Sequence, residues 1–598
     1  MKKLIFILFL FPLTLFSQTN YYVSTSGNNG NPGTLELPWR NHWYACSQVT
    51  GGNNINTISG TYSEGTQWIL ASGVNMYALG GVRIESSFAA TGQPLVKLES
   101  TNGWLHPEYI GHQEINGYTF DGNMTTYAAI YINFRHYVKI VNCNFIDFVN
   151  RGVYFQGMLQ SAWTATSVFA ADEKMPNYWG MGNEVYNCTF TNCAYMSGYS
   201  GRGNLEINSQ GGIKIRDIII TQTARATGTN GYGIKCVPGF NKGMKIHDSH
   251  ITCAPNYNET YNFAIETWQD LDECEIYDNV LQGEIDVSGA HKRSTGYGMW
   301  IHDNEMGFSS VQNHYERAIC IEEMVYGVII SNNKINHVSR GIALAPLYPQ
   351  PEHTPINHME DIWIYNNLIT NIGEVNGYET RWTLYGIYGG DYQSNHDKTI
   401  EDCHIVNNVI TASGDYMTGL YAAAGITLPA GVTTDDFEVK NNIITGFTYS
   451  GSYKAPIICW GTTPNTNVEI DNNLIYNCSN SNNVLFSTMP GGGGGTYVAG
   501  SGYSETDNIK GQNPLFVGGS PYDYHLQEES PAIAAGTWVD VLKDFEDKDY
   551  YDPPSQGIYE TGTTEPEPEP EPEPGTGQIW TDGLGNIIVD GLGNVLKK

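Results

Sequence analysis

The sequence predicts an all-β chain whose bulk is one solenoid of about a dozen stacked coils, and three observations carry that reading. First, a short pattern of apolar, any, apolar, any, Asn/Asp and a further apolar strand recurs. Instances include VKIVNCNF at Val138, MKIHDSHI at Met244, CEIYDNVL at Cys274, IWIYNNLI at Ile362 and VEIDNNLI at Val468. Second, its Asn/Asp falls at Asn116, Asn142, Asn187, Asp217, Asp248, Asp278, Asp303, Asn332, Asn366, Asn407, Asn441 and Asn472, in steps of 25 to 45 residues. Third, the apolar residues alternate with period two, so the repeats read as short strands of parallel sheets; the long amphipathic stretches of a helical solenoid are missing.

Residues 1–17 carry Lys2, Lys3 and an apolar run from Leu4 to Phe16 broken by Pro12 and Thr14, the form of a secretory signal peptide cleaved after Ser17. The run is too short to span a bilayer, so no membrane insertion is expected and the mature chain should be secreted, extracellular or at the cell surface. Residues 18–101 read as an N-terminal cap and first strands, and residues 102–560 as the solenoid with its closing segment. Residues 561–577 alternate Glu with Pro, an extended, solvated linker. Residues 578–598 repeat an eight-residue unit, WTDGLGNI then IVDGLGNV, and read as a short terminal tag.

Asn and Asp suit the corner of each coil because their side chains tolerate left-handed backbone and hydrogen-bond neighbouring peptide groups; stacked corner Asn residues could form a ladder. Each coil also carries a second strand of the form small, apolar, any, apolar, as in Gly233-Ile234-Lys235-Cys236, Ala264-Ile265-Glu266-Thr267 and Ala318-Ile319-Cys320-Ile321. The period of two turns the apolar pair inward and the middle residue outward. Several of the eleven Cys occupy inward positions, which favours buried free thiols over disulfides.

On these repeats, together with YYVSTSGNNGNPGTLELPWR from Tyr21 and NPLFVGGSPYDYHLQEESPAIAAGT from Asn513 followed by PSQGIYE, the chain resembles the right-handed parallel β-helix proteins of the pectate-lyase-like superfamily. The resemblance spans roughly Tyr21 to Glu560 and implies right-handed coiling and a secreted, carbohydrate-active role. It departs from the pattern at the closing segment, which lacks the Arg that usually precedes the Gly-x-Tyr-Glu end.

Aligning the second strands of successive coils places Lys235, Glu266 and Asp286 in one outward row, with Cys320 next and Glu322 one outward position further on. Adjacent coils lie about 4.8 Å apart, so carboxylates in such a row cannot all ionise freely. Paired carboxylates are what glycoside hydrolysis needs as acid and as base or nucleophile, so Lys235, Glu266, Asp286 and Glu322 are the candidate catalytic residues. Aromatic and basic residues in the row and in insertions following these strands, Trp179, Trp268, His291, Arg293, Tyr297 and Tyr392, are the candidate sugar-binding residues.

Two other readings stand beside hydrolysis. A polysaccharide lyase of this superfamily would use Ca2+, which Glu266, Asp286 and Glu322 could hold through oxygen, with Lys235, Lys292, Arg293 or Arg317 near the uronate. A noncatalytic adhesin or fibre-like glycan binder would also be served by a rigid rod with a spacer and tag. Hydrolysis itself requires no cofactor. A net charge of -32 opposes nucleic acid as a partner, leaving a polysaccharide substrate or glycan ligand for a monomeric chain. No HExxH, CxxC pair, GxSxG or P-loop occurs.

Overall fold

The structure, a computed structural model, describes residues 18–561 except 90–91, 101–109, 158–179, 196–201, 223–230, 238, 254–261, 269–270, 294–295, 308–316, 346–357, 374–382, 390–398, 413–421, 429–432, 449–452, 461–464, 488–501 and 520. The signal segment, nearly all of the acidic linker and the terminal repeat lie outside these residues, as do Trp179 and Tyr392.

The described strands coil into a right-handed parallel β-helix, 42 of them joined in one continuous ladder from Asn20–Val23 to Ile509–Lys510. Each full coil contributes to three faces. Face A stacks the second strands, such as Gly231–Cys236 on Asn262–Trp268 on Glu284–His291. Face B stacks the first half of the repeat, such as Lys245–His247 on Cys274–Tyr277 on Met299–His302. Face C stacks the second half, such as His250–Cys253 on Val280–Gln282. Inward positions on all three faces form one continuous core of Ile, Val, Leu, Phe and Cys side chains. Ten of the eleven Cys are buried and all are free thiols.

Every corner expected from Asn142 to Asn472 has left-handed backbone, with φ between 49° and 59°. Asn116 does not; Gly117, at φ 86°, takes that turn, because glycine adopts this region without a Cβ clash. The ladder also belongs to a different residue from the one expected. The corner side chain points outward, and the residue after it turns inward, so Asn279, Asn304, Asn333, Asn367, Asn408, Asn442, Asn473 and Asn508 form the ladder. Asn279 Oδ1 accepts from Ser249 N (3.1 Å), and from Asn304 onward each Oδ1 accepts from both the backbone N–H and the side-chain amide of the Asn one coil before, as at Asn333 Oδ1 from Asn304 N (3.1 Å) and Nδ2 (3.0 Å).

The closing segment lies along the outside of the later coils. Leu526, Ala532 and Ile558 cover Val409, Ile443 and Leu474 on face C, while Val539, Val541 and Tyr550 cover Val406 on face B. Outward corner amides hold it: Asn366 Nδ2 donates to Lys543 O (2.7 Å), Asn441 Nδ2 to Thr537 O (2.7 Å) and Asn472 Nδ2 to Ala535 O (3.0 Å). Glu560, which the family pattern would pair with Arg, instead accepts hydrogen bonds from Ser555 N (3.0 Å) and Tyr551 N (3.3 Å).

Candidate functional site

The outward row of face A is continuous. Strand pairing sets Tyr131 beside Tyr154, Tyr154 beside Glu206, Glu206 beside Lys235, Lys235 beside Glu266, Glu266 beside Asp286 and Asp286 beside Cys320. Glu322 pairs with Ser288, two positions further along the strand. The three expected charged neighbours therefore do share one row, but they are not a solvated face. Glu266 is 3% exposed and Asp286 2%, and Lys235 is also buried. Burying a charge is costly unless it is paired, so the pairing pattern decides what each group can do.

Lys235 is paired with Glu266, and its ammonium lies 4.1 Å from the Tyr232 ring centre and 5.3 Å from that of Trp268. Trp268 also hydrogen-bonds the Glu266 carboxylate. Burial outweighs the pull of the Lys235 ammonium, and the Glu266 carboxyl sits above the usual carboxylate range.

One coil on, Arg317 grips two carboxylates at once, Nε lying 2.6 Å from Glu284 Oε1 and Nη1 3.0 Å from Glu322 Oε1. Asp286 stands between these pairs without a cation of its own, and its Oδ1 is buried with no hydrogen-bond partner among the described residues. Burial first, then the neighbouring Glu322 and Glu284 charges, push its carboxyl well above the ordinary value despite Arg317. Burial likewise raises Glu284 to about 8 against the pull of Arg317. Glu322, with 17% of its side chain exposed, is where this cluster reaches solvent.

Sequence reasoning missed three participants, Arg151, Glu206 and Glu284, and named Arg317 only as a cation for the lyase reading. Glu206 continues the row one coil before Lys235 and takes Arg151 Nε at 2.8 Å, with Arg202 3.9 Å away. Leu205-Glu206-Ile207 has the apolar, any, apolar form that would have revealed it. Arg151 lies against the rings of Tyr131 and Tyr154. Glu284 and Arg317 precede the triplets used for alignment, so their common orientation emerges only from the packed strands.

Among the described residues, the basic and aromatic candidates other than Trp268 lie away from the carboxylates. His291, Arg293 and Tyr297 occupy the turn from face A to face B. Burial, then the charge of Arg293, lowers His291 to about 4, and the Arg293 guanidinium lies 4.4 Å from the Phe240 ring centre. Tyr297 hydrogen-bonds Glu275 on face B. Trp268 alone among the described sugar-binding candidates touches the charged row. Of the oxygens a lyase's calcium would use, one on Glu266 is already paired with Lys235 and one on Glu322 with Arg317.

No family model and no curated protein sequence matches the chain. Among solved structures it is similar to the alginate lyase of Paenibacillus sp. str. FPU-7, at 11% identity and TM-score 0.33 over 48% of this chain and 92% of that one. It is also similar to the tailspike of E. coli bacteriophage HK620 bound to a hexasaccharide, at 12% identity and TM-score 0.45 over 74% of each chain. A third is the tailspike of Pseudomonas phage phi297, at 11% identity and TM-score 0.34 over 63% of this chain and 71% of that one.

Proposed function

We propose that the chain is a secreted, carbohydrate-active β-helix protein that hydrolyses glycosidic bonds of an extracellular polysaccharide, with Asp286 as general acid and Glu322 as general base. The observation that supports it is the contrast inside one cluster: Asp286 is buried without a cation, whereas Glu322 is held by Arg317 and open to solvent. A carboxyl that keeps its proton can donate it to the glycosidic oxygen, while an accessible carboxylate can take a proton from the attacking water. The proton lost by water and the proton gained by the leaving sugar balance, and no cofactor is required. The occupied oxygens of Glu266 and Glu322 favour this reading over a calcium-dependent elimination.

A panel of neutral and acidic glycans, read by new reducing ends and by absorbance of unsaturated uronides, tests it. Hydrolysis yields the first signal without the second. Asp286→Asn and Glu322→Gln should each lower turnover by at least about 100-fold while the far-UV circular dichroism is unchanged. Undiminished turnover in both, or unsaturated products, would remove this assignment.

A further inference from the structure

Glu284, Asp286 and Cys320 each present a ligand atom, and these atoms all lie within 4.8 Å of one another. This is the single such group among the described residues, and all three side chains are buried. Two further features separate it from an ordinary acidic cluster. Asp286 Oδ1 is buried with no hydrogen-bond partner among the described residues. The local charge also leans negative: three carboxylates, Glu284, Asp286 and Glu322, face two guanidiniums, Arg317 and Arg340, whose charge also reaches Glu284, a formal excess of one negative charge. A divalent cation carries the charge that would offset it.

We propose that Glu284, Asp286 and Cys320 form a binding site for a thiophilic divalent cation of the Zn2+ class. The donor set selects the ion. One sulfur and two carboxylates suit a four-coordinate borderline-soft metal, whereas a hard ion such as Ca2+ gains nothing from a thiol and lacks oxygens here. Glu322 borders the fourth position, its Oε1 lying 3.7 Å from Cys320 Sγ, and its solvent exposure provides the way in. The site stands on the donor geometry alone and does not depend on the glycan reading.

Cobalt titration of the metal-free full-length protein tests the site whether or not any glycan is cleaved. The expected result is one Co2+ per chain with a thiolate-to-cobalt charge-transfer band, displaced by one equivalent of Zn2+ and retained in excess Ca2+. Cys320→Ser should abolish the band, since the other ten Cys are not in the cluster. Asp286→Asn should keep the band and weaken cobalt binding about tenfold or more. Circular dichroism confirms that each variant is folded, and Cys320→Ala replaces the Ser variant if that one is not. Absence of the band in the native protein, its survival without Cys320, or its displacement by Ca2+ would overturn the proposal.

Discussion

Asn408 carries the cost of stacking coils at a single amide. Its Nδ2 donates to Ile364 O (2.9 Å), Val406 O (3.0 Å) and Asn442 Oδ1 (3.0 Å), while its Oδ1 accepts from Asn367 N (2.9 Å) and Nδ2 (3.0 Å), all in a fully buried setting. Asn408→Ala strands several of these groups without water, so it should lower the unfolding free energy by about 2–4 kcal/mol in denaturant titration. Asp248→Asn, at an exposed corner with the same backbone, should change it by less than about 0.5 kcal/mol. A sequence of paired Asn residues shows that a ladder is possible, but not which Asn points inward; that follows from the left-handed φ of the first. The site divides in the same way. The register of Lys235, Glu266 and Asp286 was legible because period-two strands of adjacent repeats can pair in only one register that buries their apolar positions. Their burial was not, because it depends on Arg317, Tyr232 and Trp268, which approach from neighbouring positions and strands. Arg151 and Glu206 escaped because a long insertion separates their strands and hides the register.

Among elements, the strands of face A approach closely where small residues begin them. A Cβ built on Gly386 would sit 2.3 Å from Ile410 Cγ2 and 2.5 Å from Gly425 O, so Gly386→Ala must push backbone apart and should cost about 1–3 kcal/mol. Gly81, with nothing within 4 Å, is the matched control and should tolerate Ala. Between the strands Thr399–Val406 and Thr433–Lys440 of face B, a cross-strand pair makes stability depend on pH. His404 Nδ1 lies 2.8 Å from Glu438 Oε2, and Lys440 Nζ 2.6 Å from Glu438 Oε1. The His404 hydrogen bond, then Lys440, lower Glu438 to about 2; burial opposes a charged His404, but its bonds to Glu438 and Asp402 raise it above its ordinary value. The depressed carboxyl stabilises the fold above pH of about 4.5 and loses that contribution as pH falls toward 2. The raised imidazole contributes fully below its unfolded value of about 6.5 and loses its contribution as pH rises through the folded value. Both act together between about 4.5 and 6.5. The stability gap between the native protein and Glu438→Gln should therefore be widest near pH 5.5. Thermal melts showing an unchanged gap from pH 3 to 8 would rule the pair out as a source of stability.

At the scale of the whole molecule, the chain is a single rod whose stability is built without covalent cross-links. None of the eleven Cys is paired in the structure. The reason is positional: Cys143, Cys236, Cys274, Cys403 and Cys459 point into the core, each filling one inward place of a coil. Burial pushes the thiols of Cys193 and Cys478 up to about 12 and those of Cys236 and Cys459 well above their ordinary value, so little nucleophilic thiolate exists at neutral pH. A thiol reagent at pH 8 should label eleven cysteines in denaturant and at most one in the folded protein, the half-buried Cys478. Reductant should leave the melting temperature unchanged. Truncation after Thr561 should leave it unchanged too, because Leu526, Ala532 and Ile558, which cover Val409, Ile443 and Leu474, are all retained. A truncation that also removes residues 513–561 uncovers that apolar strip and should lower it sharply. Rapid labelling of several thiols in the folded state, or a melting temperature that falls in reductant, would mean that the rod breathes open or is cross-linked, contrary to a core in which each thiol serves as a small apolar side chain.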